Sequence, residues 1–177
     1  MVFGWLLFTA VFSLAQQPKP SEYEVQAAYL YNFGKFVSTR AEIAATKGGD
    51  FEICIIGEDP FNTVLDAVVA GETIEGKQVV ARRVSKPEDT VRCRILYISS
   101  SEERRLDALL GTVAAGVLTV SNINGFSRRG GMIEFVLEAN RIRFVVDLKP
   151  ITDAGITVSS DLLRVALMVR GNPRSKP

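Results

Sequence analysis

The chain is 177 residues long and 47% hydrophobic, and its 21 basic and 20 acidic side chains leave a net charge of +1. That length and apolar content suffice for one self-supporting core, while the balanced charge excludes the concentrated basic face that nucleic-acid binding requires. Histidine is absent, which removes Ser-His-Asp triads, Cys-His pairs and imidazole metal sites.

Residues 2–15 are apolar and uncharged, and a polar segment, Gln16-Gln17-Pro18-Lys19-Pro20, follows. The stretch is too short to span a bilayer comfortably and fits the apolar core of a secretory signal peptide. Ser13 and Ala15 are small residues at the positions a signal peptidase reads. The expected organisation is therefore a signal peptide over 1–15, a linker over 16–20, a single α/β domain over 21–170 and a flexible tail over 171–177.

Ser21 with Glu24 three residues on is a capping box, which predicts a helix from there to about Val37. The helix is crowded with aromatics (Tyr23, Tyr29, Tyr31, Phe33, Phe36). Such density marks either a ligand cleft or, more commonly, a helix buried against a sheet. A first strand is expected over Phe51–Ile56. Asp59 then N-caps a helix with Pro60 at its first position, and Phe61, Val64, Leu65, Val68 and Val69 form its buried stripe.

Lys77–Val84 and Cys93–Ile98 read as the next two strands. A second capping box, Ser100 with Glu103, opens a helix whose inner face is Leu106, Leu109 and Leu110. Val117–Val120 is a short strand. A polar loop over Ser121–Arg129 leads into a hairpin of Met132–Leu137 and Arg141–Val146. Ser159 or Ser160 caps a final helix with Leu162, Leu163, Ala166 and Val169 inside. The alternation predicts a mostly parallel sheet flanked by helices on both faces, closed by a C-terminal antiparallel hairpin and helix.

Cys54 and Cys93 lie in the first and third strands, which are commonly neighbours in such a sheet. They are either a disulfide or two buried thiols. Export and adjacency favour the disulfide. The loop after the first strand, Ile56-Gly57-Glu58-Asp59-Pro60, lacks GxGxxG and GxxxxGK[ST] and carries two carboxylates, which repel phosphate. No catalytic, cofactor or metal grouping is expected. Arg128 and Arg129, in a loop beside Gly130-Gly131, are either solvated surface or a partner contact.

The run Glu24-Val25-Gln26-Ala27-Ala28-Tyr29-Leu30-Tyr31-Asn32-Phe33-Gly34-Lys35-Phe36-Val37 resembles the first-helix signature of the YfiR/HmsC-like exported proteins. Gly130-Gly131-Met132-Ile133, Arg141-Ile142-Arg143-Phe144, Ala154-Gly155-Ile156 and Ser159-Ser160-Asp161-Leu162-Leu163 resemble its hairpin and closing segments. The resemblance implies a periplasmic protein of a Gram-negative bacterium. It further implies binding to the periplasmic sensor region of an inner-membrane diguanylate cyclase, and so lower cyclic di-GMP and less biofilm. Relatives of this kind can form homodimers, and some respond to outer-membrane proteins. A periplasmic small-molecule receptor acting with a membrane signalling protein is the alternative.

Overall fold

The computed structural model describes residues 19–40 and 49–171. The expected signal peptide and most of the expected tail lie outside the described residues. Helix α1 covers Glu22–Phe36 and starts as its sequence predicts. The Glu24 amide donates to Ser21 Oγ (3.2 Å), and the Ser21 amide donates to the Glu24 carboxylate (2.5 Å). Strand β1 (Val37–Thr39) follows directly, then β2 (Phe51–Ile56), α2 (Val64–Val69), β3 (Thr73–Ile74) and β4 (Lys77–Val84). Strand β5 (Cys93–Ile98), α3 (Leu106–Leu110), β6 (Leu118–Ser121), β7 (Ile133–Glu138) and β8 (Arg141–Asp147) continue the chain. It ends in α4 (Leu148–Asp153), β9 (Ile156–Val158), α5 (Ser160–Val165) and β10 (Met168–Arg170). Short 3₁₀ turns cover Pro87–Arg92, Ser100–Arg105 and Phe126–Arg129.

Eight strands form one sheet in the order β10-β8-β7-β6-β5-β2-β4-β3, and β1 pairs with β9 in a separate two-stranded ribbon. The pairs β2/β4, β2/β5, β5/β6 and β6/β7 are parallel, while the hairpin β7/β8 is antiparallel. Both β2 and β5 are buried along their whole length, as strands covered on two faces must be.

Alternate residues of these strands feed two cores. On one face Ile53, Ile55, Ile95 and Tyr97 pack against Leu30 and Phe33 of α1 and Leu65 of α2. On the other, Cys54, Ile56, Leu96 and Ile98 pack against Leu106 and Leu109 of α3 and against Phe126. The aromatics of α1 serve the core: Phe33 meets Phe144 at 5.1 Å edge-to-face, and Tyr29 meets Phe144 at 5.3 Å. Burial against Phe61 and the sheet raises the Tyr97 hydroxyl well above its ordinary range, chiefly by desolvation.

Three local expectations are corrected. Asp59 does not cap a helix running from Pro60. Its Oδ1 accepts from the Phe61 amide at 2.8 Å, its other oxygen pairs with Arg83, and α2 begins only at Val64. Asn62 interrupts the segment with φ 49°, a left-handed conformation that no helix carries through. The second capping box does not form: Ser99, not Ser100, is the cap, and the turn that follows is 3₁₀. The last helix stops at Val165, so Ala166 and Val169 are not its inner face. Val169 lies instead in β10, opposite Val146 of β8. The backbone of β8 would otherwise be an open sheet edge, and pairing it outweighs one more helical turn.

Candidate partner-binding surface

In an open parallel sheet, ligands bind beyond the carboxyl ends of the strands where the strand order reverses. Here that point lies between β2 and β5, beyond Ile56 and Ile98. The two segments that leave these strands are bonded to each other there. The Ser99 amide donates to the Ile56 carbonyl (3.0 Å), and the Glu58 amide donates to Ser101 Oγ (2.9 Å). Gly57 has φ 91°, and a Cβ there would stand 2.4 Å from Ser101 Oγ. The turn after β2 and the segment after β5 thus pack directly on each other at this point.

The neighbouring loop, after β6, is mostly buried and exposes Asn124 and residues 128–130. The side chain of Glu134, on β7, is buried and points back at it. Its carboxylate accepts from the Gly125 amide (2.7 Å), the Ser127 amide (3.0 Å) and Ser127 Oγ (2.6 Å). Hydrogen bonds to a carboxylate are about twice as strong as neutral ones, and burial strengthens them further. Phe126 is fully buried beneath the loop. Gly131 must lack a side chain, because a Cβ there would stand 2.1 Å from the Phe126 ring.

This frame presents Arg128 and Arg129 to solvent. Arg129 is tied down: it bonds Asp107 (Nε–Oδ1 3.0 Å) and the Glu103 carbonyl (3.4 Å). The Arg128 guanidinium folds over Gly125, within 2.9 Å of where a Cβ would stand. No described residue forms an ion pair or hydrogen bond with it. The pair noted in the sequence is thus one structural arginine and one available arginine, held on a stiff support.

A second exposed feature is a groove along α1. One section, about 360 Å³, is lined by Lys19, Pro20, Val25, Leu137, Arg141 and Ile142 among others. A section of about 340 Å³ shares Pro20 and Val25 and continues along Ala28, Tyr29 and Asn32. Lys19 Nζ donates to the Asn140 carbonyl (3.1 Å), which ties the start of the described chain to the hairpin turn. Leu137 is 57% exposed.

The structure joins Cys54 to Cys93 in a disulfide with Cα atoms 5.8 Å apart. Glu52 lies beside it. Among the described residues, Glu52, Cys54 and Cys93 are the one group of three potential metal ligands, with ligand atoms all within 4.8 Å of one another. While the disulfide is closed, neither sulfur is a thiolate ligand. Glu134 and Glu52 escaped the sequence reading because each sits in an apolar strand where an acid ordinarily marks a solvent-facing position; only the partners supplied by distant segments reveal them.

The chain is an α/β domain built on a mostly parallel eight-stranded sheet. The family model described as YfiR/HmsC-like matches residues 23–167, and the chain belongs to that family. The family is one of periplasmic regulators of cyclic di-GMP signalling, regulatory and not enzymatic. Comparison with curated proteins gives no match. Among solved structures, a conserved domain protein from Vibrio cholerae O1 biovar eltor is similar in fold, with TM-score 0.56 and 11% identity over 85% of this chain and 60% of that one. The ABC domain in complex with L-Trp from Streptococcus pneumoniae is similar at TM-score 0.50 and 12% identity, over 82% of this chain and 60% of that one. This chain thus spans less than two thirds of either structure. Among the described residues, no helix is long and apolar enough to cross a membrane.

Proposed function

We propose that the protein is exported to the periplasm and represses an inner-membrane diguanylate cyclase by binding its periplasmic sensor region. The observation that carries this reading is the family match over residues 23–167, nearly the whole of the described chain. The proposed mechanism is a population shift: the protein binds the cyclase's resting form more tightly than its active form, and the affinity ratio sets the depth of repression. The Arg128 loop is the proposed contact, because a stiff support lowers the ordering cost of association. A guanidinium without an ion pair or hydrogen bond among the described residues suits a carboxylate on the partner. Dimerisation, and release of repression by an outer-membrane protein, belong to the same proposal.

The test is co-purification. Tagged protein captured from detergent-solubilised host membranes should retain a diguanylate cyclase, and Arg128→Glu should reduce the recovered amount. Recovery of no membrane signalling protein contradicts the reading.

The groove along α1 favours a second reading, a small-molecule receptor acting with a membrane signalling protein. Its volume is that of an ordinary ligand site, with apolar walls and a few charged groups at the rim. The structurally similar domain from Streptococcus pneumoniae was solved with L-Trp, so amino acids are the first compounds to test. A ligand that binds the folded state raises Tm, and the rise continues with the logarithm of its concentration above Kd. A uniform absence of shift across amino acids and nucleotides counts against this reading.

A further inference from the structure

We propose that Glu52, Cys54 and Cys93 form, when the disulfide is open, a buried three-ligand site for a thiophilic divalent cation of the zinc class. Glu52 and Cys54 are two apart on β2 and face the same side of the sheet, while Cys93 opens β5 opposite Glu52. All three are buried, and their ligand atoms already lie within 4.8 Å of one another. Once the disulfide opens and the two sulfurs part, two thiolates and one carboxylate can surround an ion. Zinc accepts that mixture of sulfur and oxygen donors, and three protein ligands with a water in the fourth position are a common zinc arrangement.

The second observation is the state of the Glu52 carboxylate. Its side chain is 3% exposed. Arg92 Nη2 approaches Oε1 at 3.0 Å, and Arg82 Nε lies 3.0 Å from Oε2. Arg82 Nη2 also donates to Oε1 at 3.3 Å, while Oε2 has the ion-pair contact but no hydrogen bond. That oxygen keeps its hydrogen-bonding capacity unused, and a cation beside the sulfurs would take it up. The two arginine side chains are 47% and 58% exposed. Two thiolates and a carboxylate carry −3, and a divalent ion with two guanidinium groups supplies +4, so the site is not left with uncompensated negative charge.

The chemistry balances simply. A dithiol reductant, itself oxidised to a disulfide, delivers two electrons and two protons and converts the Cys54–Cys93 bond into two thiols. The cation then displaces both thiol protons to solvent. Metal and disulfide are mutually exclusive occupants, so bound cation protects the reduced chain from oxidation. This inference does not depend on the proposed regulatory role.

The experiment is an anaerobic titration of the full chain, reduced with a trialkylphosphine, using Cd²⁺ as the probe. The expected result is a thiolate-to-cadmium charge-transfer band that saturates at one ion per chain. Glu52→Gln, which keeps both thiols, should weaken binding by about tenfold or more. Zn²⁺ should compete, and the loaded chain should reoxidise more slowly than the metal-free one. A reduced chain that stays folded by circular dichroism and shows no band overturns the proposal, as does a Glu52→Gln variant that binds as tightly as the parent. If reduction unfolds the chain, cadmium should restore the fold; failure to do so overturns it equally.

Discussion

The Glu134 carboxylate takes two hydrogen bonds from one residue, Ser127: the backbone amide at 3.0 Å and the hydroxyl at 2.6 Å. With the Gly125 amide it anchors the loop that carries Arg128. Glu134→Gln keeps the shape but turns an acceptor into a donor facing N–H groups. It should destabilise the domain by about 2–3 kcal/mol, since hydrogen bonds to buried charge are worth about 1.5–3 kcal/mol each and the loop partly relaxes. Urea unfolding gives the number. Hydrogen exchange should show protection lost first at residues 125–129.

Gly131→Ala should cost about 1–3 kcal/mol by overpacking against Phe126. A drop in Tm is the expected readout, and Phe126→Leu in the same chain should recover part of it. If the double variant is no more stable than Gly131→Ala alone, ring contact is not the cause.

Replacing Cys54 and Cys93 by serine removes a cross-link between residues 39 apart. The chain-entropy model sets the loss near 4 kcal/mol. Comparison of unfolding midpoints under non-reducing conditions checks it. Because the bond ties β2 to β5 at the centre of the sheet, the loss should appear as a lower global midpoint, not as a separate early transition.

The Asp66 carboxyl is held below the usual carboxylate range, first by its hydrogen bonds from Arg83, at 2.7 Å to each oxygen. A depressed folded-state value means the stabilisation is present above the unfolded value, about 4, and disappears as pH falls through the folded value. Acid should therefore weaken the attachment of α2 to β4. Asp66→Asn should flatten the loss of stability below about pH 4 while changing little at pH 7, because the group is largely exposed.

Much of the fold was legible from local rules. Ser21 and Glu24 announce the start of α1 because both partners of the capping box lie within one turn. The placement of Cys54 and Cys93 follows from strand order, since a crossover fold brings the first and third strands together. What stayed hidden depends on distant partners. The β1/β9 ribbon pairs Val37 with Val158, and three-residue strands carry too little pattern to be seen. Met168-Val169-Arg170 continues the spacing of α5 and becomes a strand only because β8 offers an unpaired edge. At the candidate surface, the sequence singled out Arg128 and Arg129 equally. Asp107, from another element, makes one structural and leaves the other available.

The central claim is that this protein lowers cyclic di-GMP by contact with a membrane partner. Quantifying cellular cyclic di-GMP after deletion of its gene tests that claim most directly. The account predicts a rise that the parental gene reverses and that an Arg128→Glu gene reverses only partly. An unchanged or lower level in the deletion strain would contradict it.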